Sequence, residues 1–201
     1  MRGAGEFAEL QSRILRTILV RRITLGVFSA VAVVVLFASR LSYKNPLFYS
    51  LVVWFLLTFA FERAIKGRRS VRSLNLVHMS FFLAEVVLIT VLVHFMGGSE
   101  WIGNVFYLFT VLYANFFLPR LHGAVVTGWV AACYSGLVLL EAGGVLPHVS
   151  LFELTGPAYR STSYNVATIL AGTVGIYVVV AFTARTFAAV YAQKNRELEA
   201  R

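Results

Sequence analysis

The stretch LNLVHMSFFLAEVVLITVLVHFM, residues 74–96, decides the fold class of this chain. Its only ionisable side chains are those of His78, Glu85 and His94, and the remaining positions are uncharged and mostly apolar. A helix needs about 17–25 apolar residues to cross a bilayer, and lipid offers no partner to backbone groups outside a helix or a closed barrel. The stretch lacks the alternation of a barrel strand, so it predicts a membrane-spanning helix.

Five further apolar runs accompany this stretch in a chain of 201 residues. Hydrophobic residues make up 59% of the sequence and charged residues 13%, whereas soluble domains are about 25% charged. The sequence therefore predicts an all-α integral membrane protein with a six-helix transmembrane bundle over 23–183. The predicted membrane helices are 23–39, 47–61, 74–96, 102–118, 123–140 and 166–183.

The basic residues are divided unevenly between the two sides of this topology. One side has only Arg40, Lys44 and Arg160, and the side of the termini has the other fifteen. Such a bias predicts that both termini are cytoplasmic. The net charge of +9 comes from residues that flank apolar runs, so we interpret it as membrane anchoring and expect no nucleic-acid partner.

Residues 1–22 have a helical pattern of their own. Phe7, Leu10, Ile14 and Ile18 recur at helical spacing between arginines. The pattern fits an amphipathic helix on the cytoplasmic membrane surface. A plain cytoplasmic extension of the first membrane helix explains it equally well.

Residues 184–201 predict that the last helix continues into the cytoplasm. Neither glycine nor proline interrupts them, and a weak three–four spacing suggests the start of a coiled coil. The positions with this spacing are Ala184, Phe187, Tyr191, Lys194 and Leu198. The chain stops in the middle of this pattern, so we expect a cytoplasmic output to follow Arg201.

Glu85 lies near the middle of the third predicted helix, where an ionisable side chain is costly and is a functional hypothesis by default. Every lysine and arginine lies outside the apolar runs. We therefore expect Glu85 to be protonated, or bonded to a hydroxyl or an amide, without a basic partner. His78 lies seven residues earlier on the same helix face, so both are candidate ligand-binding residues. The alternative is a structural hydrogen bond to a neighbouring helix.

Two other features predict helix packing. Asn115 is an amide in an apolar helix, a position at which side chains usually bond across helices. Gly128, Ala132 and Gly136 follow one another at four-residue spacing, which allows close approach of backbones. Ordinary packing within the bundle and a dimer or signalling interface both fit this small-residue face.

The predicted non-cytoplasmic side gathers most of the remaining polar residues. Gly97 and Gly98 provide the backbone freedom for a tight turn between the third and fourth helices. The candidate ligand-binding residues of this side are His94, Gly97, Gly98, Glu100, Trp101, Asn104, Glu141 and His148. Their spacing matches no metal signature, and Trp101 also suits an interfacial anchor. We expect an obligatory turn and, beside it, one wall of a ligand pocket.

Two motifs of this side resemble the N-terminal membrane module of bacterial sensor histidine kinases. The first is VLVHFMGGSEWIGNVFYLF, with His94, Gly97 and Gly98, and the second is LVLLEAGGVLPH, with Glu141 and His148. Such modules have six membrane helices, with a histidine–glycine–glycine turn after the third. The resemblance implies a multi-pass protein of the bacterial cytoplasmic membrane and a homodimer formed through the sixth helix and the tail.

Redox-sensing kinases of the RegB type have a related glycine-pair loop, where a quinone is thought to act. Their turn continues into an asparagine–proline–phenylalanine element. This chain has SEWIGNVF instead, with Asn104 and Phe106 but without the proline. A quinone is therefore suggested as a cofactor by analogy alone.

The sequence thus favours a sensory input module for a small, lipid-soluble or intramembrane signal. It contains no nucleotide-binding glycine-rich loop, and no histidine lies in a cytoplasmic coiled-coil context, so we expect no enzyme activity in this chain. A small six-helix transporter or substrate-binding membrane subunit is one alternative, although the chain has no internal repeat. An accessory subunit that packs against a larger membrane complex is another.

Overall fold

The computed structural model of the chain describes residues 2–38, 44–98, 104–149 and 163–199. The backbone of these residues is almost entirely helical and contains no strand, so the predicted all-α class is confirmed. The helices are α1 (Arg2–Ala38), α2 (Lys44–Lys66), α3 (Val71–Phe95), α4 (Val105–Phe117), α5 (Arg120–Ala142) and α6 (Ser163–Glu199).

Within the described ranges, four segments are long and apolar enough to cross a membrane. They are Phe48–Lys66, Val71–Phe95, Arg120–Ala142 and Thr173–Lys194. Helix α4 is apolar but has only 13 residues, or about 20 Å, against a hydrocarbon thickness of about 30 Å. It ends before the predicted residue 118 because Pro119 holds Leu118 in an extended conformation, with ψ of 155°. These helices support a membrane-embedded protein.

The chain divides into two compact units of three helices each. The N-terminal unit, Met1–Phe95, contains α1 to α3, and the C-terminal unit, Met96–Arg201, contains α4 to α6. In the N-terminal unit, α1 packs against both α2 and α3, which also pack against each other. In the C-terminal unit, α6 packs against α4 and α5 in the same way.

Helix α1 is continuous across residues 22 and 23, where the sequence suggested a change from a cytoplasmic or interfacial segment to a membrane helix. Its apolar stripe contacts protein: Ile14 and Ile18 are each 1% exposed and belong to the core of the unit. Phe7 and Leu10 pack against the same core. The other buried members of this core are Ile65, Leu74 and Phe81.

Helix α6 extends well past the predicted membrane segment 166–183 without a break. Ala184 is only 2% exposed, whereas Phe187 and Tyr191 are 65% and 62% exposed. Of the residues with the predicted coiled-coil spacing, Ala184 therefore lies in the interior of the unit, whereas Phe187 and Tyr191 lie on its surface. Ala184 is buried because α6 still packs on α4 and α5 at this level.

Candidate functional site

The glycine pair after α3 makes the predicted turn. Gly97 has φ of 114° and Gly98 has φ of 56°, values that only glycine adopts without strain. Both residues are buried. The predicted turn role of this pair is therefore confirmed.

A second glycine turn ends α5 and folds the chain back on it. The amide of Gly144, which has φ of 69°, donates to the carbonyl of Glu141 at 3.1 Å. The amides of Val145 and Leu146 both donate to the carbonyl of Leu140, at 3.0 and 3.1 Å. These bonds provide donors for carbonyls that otherwise have no hydrogen-bond partner at the end of a helix.

The two turns meet at the side chain of Glu141. A Cβ atom at Gly98 would overlap the Glu141 carboxylate, so the backbone of the first turn lies directly against it. The second turn brings His148 back, with Nδ1 at 3.3 Å from Oε2 of Glu141. The side chains of Glu141 and His148 are only 4% and 13% exposed. We call Gly97, Gly98, Glu141 and His148 the turn cluster.

Three tyrosines form the centre of the C-terminal unit. Tyr107 of α4, Tyr134 of α5 and Tyr177 of α6 are at most 1% exposed. Their ring centroids lie 5.9 to 6.1 Å apart in edge-to-face geometry, which is a favourable arrangement for aromatic pairs. Tyr134 is seven residues before Glu141, so both lie on one face of α5.

The tyrosine centre also contacts the beginning of α4. The Tyr177 hydroxyl donates to the backbone carbonyl of Asn104 at 3.3 Å. The Tyr134 side chain interacts with those of Asn104 and Thr173. Asn104, a predicted site residue, is therefore joined to α5 and α6 through the tyrosines.

At the opposite end of α5, Arg185 of α6 reaches the α4–α5 turn. Its Nε donates to Oδ1 of Asn115 at 2.8 Å, and its guanidinium also donates to the carbonyl of Arg120. Nδ2 of Asn115 donates to the hydroxyl of Thr127 at 2.8 Å. The prediction that Asn115 bonds across helices is thus confirmed. We call Arg185, Asn115, Thr127 and the Arg120 carbonyl the Arg185 network.

Gly123 makes this network possible. A Cβ atom there would lie 2.7 Å from the Arg185 guanidinium, 2.9 Å from Oδ1 of Asn115 and 3.1 Å from the carbonyl of Ala114. Gly128 and Gly136, by contrast, have no described atom within 4 Å of such a position, so they are not sites of close packing among the described residues, and the alternative of a dimer or signalling interface stays a prediction. Sequence reasoning also missed Arg185, because it was counted only as a cytoplasmic charge.

The N-terminal unit corrects the expectation for Glu85, because Arg21 forms an ion pair with it. Their side chains are 13% and 5% exposed. The Arg21 guanidinium also lies over the Phe82 ring, 4.6 Å from its centroid, a favourable cation–π contact. The expectation failed because Arg21 was placed ahead of the membrane, whereas α1 continues through this position and packs on α3.

His78 lies on the same helix face as Glu85, as predicted. It is 2% exposed, and its ring centroid is 4.9 Å from that of Phe82. Among the described residues, neither ring nitrogen has a hydrogen-bond partner. Glu85 and His78 are therefore both buried in the N-terminal unit, with Arg21 close to them.

The neighbouring Arg22 makes the corresponding contacts with α2. It pairs with Glu62, and its Nε donates to the Thr58 hydroxyl at 3.1 Å. Glu62 also accepts from Lys66 at 2.5 Å. Adjacent residues on a helix point about 100° apart, so Arg21 and Arg22 fasten α1 to α3 and α2 respectively. The Glu62 contacts lie in the helical turn 62–66 that extends α2 past the apolar run 47–61.

The remaining predicted site residues are distributed as follows. His94 is in the last turn of α3, half-buried, in the N-terminal unit. Glu100 and Trp101 lie outside the described residues. In the part of the chain that the structure describes, no three His, Cys, Asp or Glu side chains come together as metal ligands.

Comparisons with known proteins identified no relative of this chain. No protein-family model, curated protein or solved structure matches this chain.

Proposed function

We propose that this chain is the membrane sensory module of a bacterial sensor histidine kinase. In this proposal it spans the cytoplasmic membrane with both termini inside, and responds to a small, lipid-soluble or intramembrane signal. Helix α6 carries the response to a cytoplasmic kinase region, where phosphoryl transfer takes place. The distribution of basic residues, the long apolar helices and the unbroken α6 support this proposal.

The observation that carries the proposal is the attachment of α6 to the α4–α5 turn by Arg185. One guanidinium bonds to a side chain of α4 and to the backbone carbonyl of Arg120 at the start of α5. Because Arg185 is on α6, which continues past this contact to Glu199, a shift of α4 against α5 changes the position of α6. Small shifts of packed helices are a common means of signalling.

The turn cluster is the place where we propose that the signal acts. It lies at one end of α5 and the Arg185 network at the other, about 30 Å apart by helical rise. Tyr107, Tyr134 and Tyr177 connect the helices between them. A ligand that alters the Glu141–His148 contact would shift the balance between two packings of these helices.

We further propose that two copies of the chain pair through α6. Beyond Arg185, this helix exposes Phe187, Val190 and Tyr191, which are 65%, 49% and 62% exposed. Their spacing is that of a helical stripe. Pairing would cover this apolar stripe and would place the two outputs side by side.

The test is a fusion of the full chain, through α6, to the kinase region of a sensor kinase with a gene reporter. We expect Arg185→Gln to change reporter output at least about fivefold, the lower end of typical coupling energies. Asn115→Leu should change the output in the same direction, because it removes the other partner of the same bond.

Thr186→Ala is the matched control. Thr186 is exposed on α6 and its hydroxyl bonds within the helix, to the carbonyl of Phe182 at 3.0 Å. Its replacement should leave the output unchanged at equal membrane abundance. Unchanged output for both Arg185→Gln and Asn115→Leu would refute the role of this network in transmission.

A further inference from the structure

The α2–α3 turn carries a dense basic patch. Arg63 lies in the last turn of α2, Arg68 and Arg69 lie in the turn, and Arg72 is the second residue of α3. All four are exposed. The turn is held tightly, because the amide of Gly67 donates to the Arg63 carbonyl at 3.2 Å and that of Arg68 to the Ile65 carbonyl at 3.1 Å. We call these four arginines the basic patch.

Among the side chains that the structure describes, none of the four arginines of the basic patch forms an ion pair. The glutamates of the N-terminal unit that the structure shows in ion pairs bind other basic residues: Glu9 pairs with Arg13, Glu85 with Arg21, and Glu62 with both Arg22 and Lys66. Arg63, Arg68, Arg69 and Arg72 enter none of these pairs. Four exposed guanidinium groups thus lie within ten residues of chain, outside every ion pair that the structure describes in this unit.

Exposed apolar residues continue directly from the basic patch along the same helix faces. Leu56 and Phe59 lie seven and four residues before Arg63 and are 60% and 46% exposed. On α3, Leu76 lies four residues after Arg72 and is 43% exposed. These spacings place apolar and basic side chains on common faces, which suits a surface between hydrocarbon and headgroups.

We propose that the basic patch binds the headgroups of anionic phospholipids. The inference rests on the proposed membrane arrangement, but it does not depend on sensing. Guanidinium groups bind phosphate oxygens in a bidentate manner, and clusters of arginine next to membrane helices attract anionic lipid. A zwitterionic headgroup also has a phosphate, but its ammonium group cancels the charge that the four arginines require.

The C-terminal unit provides the contrast. Its α4–α5 turn has one basic residue, Arg120, and Arg185 is engaged in hydrogen bonds with Asn115 and the Arg120 carbonyl. The α2–α3 turn should therefore contribute more to the lipid preference of the chain than the α4–α5 turn.

The test is a lipid-retention assay on the full chain. The protein is purified in neutral detergent and mixed with equal amounts of phosphatidylglycerol and phosphatidylcholine. It is then separated from free lipid, and the bound lipids are quantified by mass spectrometry. Each basic residue near an anionic surface strengthens binding by roughly fivefold. We expect phosphatidylglycerol to be retained at least about tenfold over phosphatidylcholine at low salt.

Three variants locate the effect. Arg68→Gln/Arg69→Gln/Arg72→Gln should bring the ratio of retained lipids close to one. The matched variant Arg68→Lys/Arg69→Lys/Arg72→Lys keeps the charge and should retain most of the preference. Arg120→Gln removes an exposed charge from the other unit and should leave the ratio unchanged. All four proteins should elute as the same species in size-exclusion chromatography.

Two results would overturn the inference. Equal retention of the two lipids by the unaltered protein would show that the basic patch does not select anionic headgroups. The patch would then face water or an acidic protein. A preference that survives in the glutamine variant would place the lipid site elsewhere. Either result leaves the Arg185 reporter experiment unaffected, so this inference and the proposed function can fail separately.

Discussion

Replacing Glu85 by glutamine should lower the midpoint of thermal unfolding by about 6–20 °C. The change leaves the Arg21 guanidinium, 13% exposed, without this carboxylate. Breaking a buried ion pair by removing one charge costs about 3–5 kcal/mol, and about 1 kcal/mol corresponds to a shift of 2–4 °C in chains of this size. The measurement is circular dichroism of the purified protein in neutral detergent during heating.

Two further variants show whether the pair is responsible. Glu9→Gln removes a carboxylate from the exposed pair with Arg13, where side chains are 73% and 57% exposed, and should change the midpoint by under about 2 °C. Arg21→Met/Glu85→Met removes both buried charges and should be more stable than Glu85→Gln, because apolar replacement of a whole buried pair is often neutral. A double variant as unstable as Glu85→Gln would contradict this account.

Replacing Gly98 by alanine should destabilise the C-terminal unit about twice as much as the same change at Gly144. Both glycines have a left-handed backbone, with φ of 56° and 69°, so alanine costs about 1–2 kcal/mol of strain at either position. Only at Gly98 does the new Cβ atom also meet a side chain, the Glu141 carboxylate, whereas Gly144 has open space. Overpacking of this kind costs a further 1–3 kcal/mol or so.

The comparison of the two alanine variants isolates the contact with Glu141. We expect midpoint shifts of about 2–8 °C for Gly144→Ala and about 4–20 °C for Gly98→Ala. Adding Glu141→Ala to Gly98→Ala should restore part of the loss, because the shorter side chain no longer meets the Cβ atom. Equal shifts for Gly98→Ala and Gly144→Ala would show that Glu141 moves aside without cost.

The sequence predicted the features that depend on local pattern. Apolar run length predicted the helices, and the glycine pair at residues 97 and 98 predicted a turn because few other residues adopt positive φ. Asn115 was recognised because an amide in an apolar helix needs a partner. Each of these inferences requires only the chemistry of one element.

The features that the sequence did not reveal depend on which parts of two helices pack side by side. Arg21 was assigned to the membrane boundary, and only the packing of a longer α1 on α3 brings it to Glu85. Gly123 has no spacing signal, because its role comes from Arg185, a residue 62 positions later in the chain. Gly128 and Gly136 have such a signal but no described neighbour at the Cβ position.

The continuity of α6 has a mechanical consequence. From Arg185 to Glu199 the helix rises about 21 Å, and no break in this segment absorbs a change of direction. If α6 pivots at Arg185, a tilt of the helix by about 5° displaces its end at Glu199 by about 2 Å. This length of helix thus converts a small change of angle at Arg185 into a displacement of the size that subunit interfaces use.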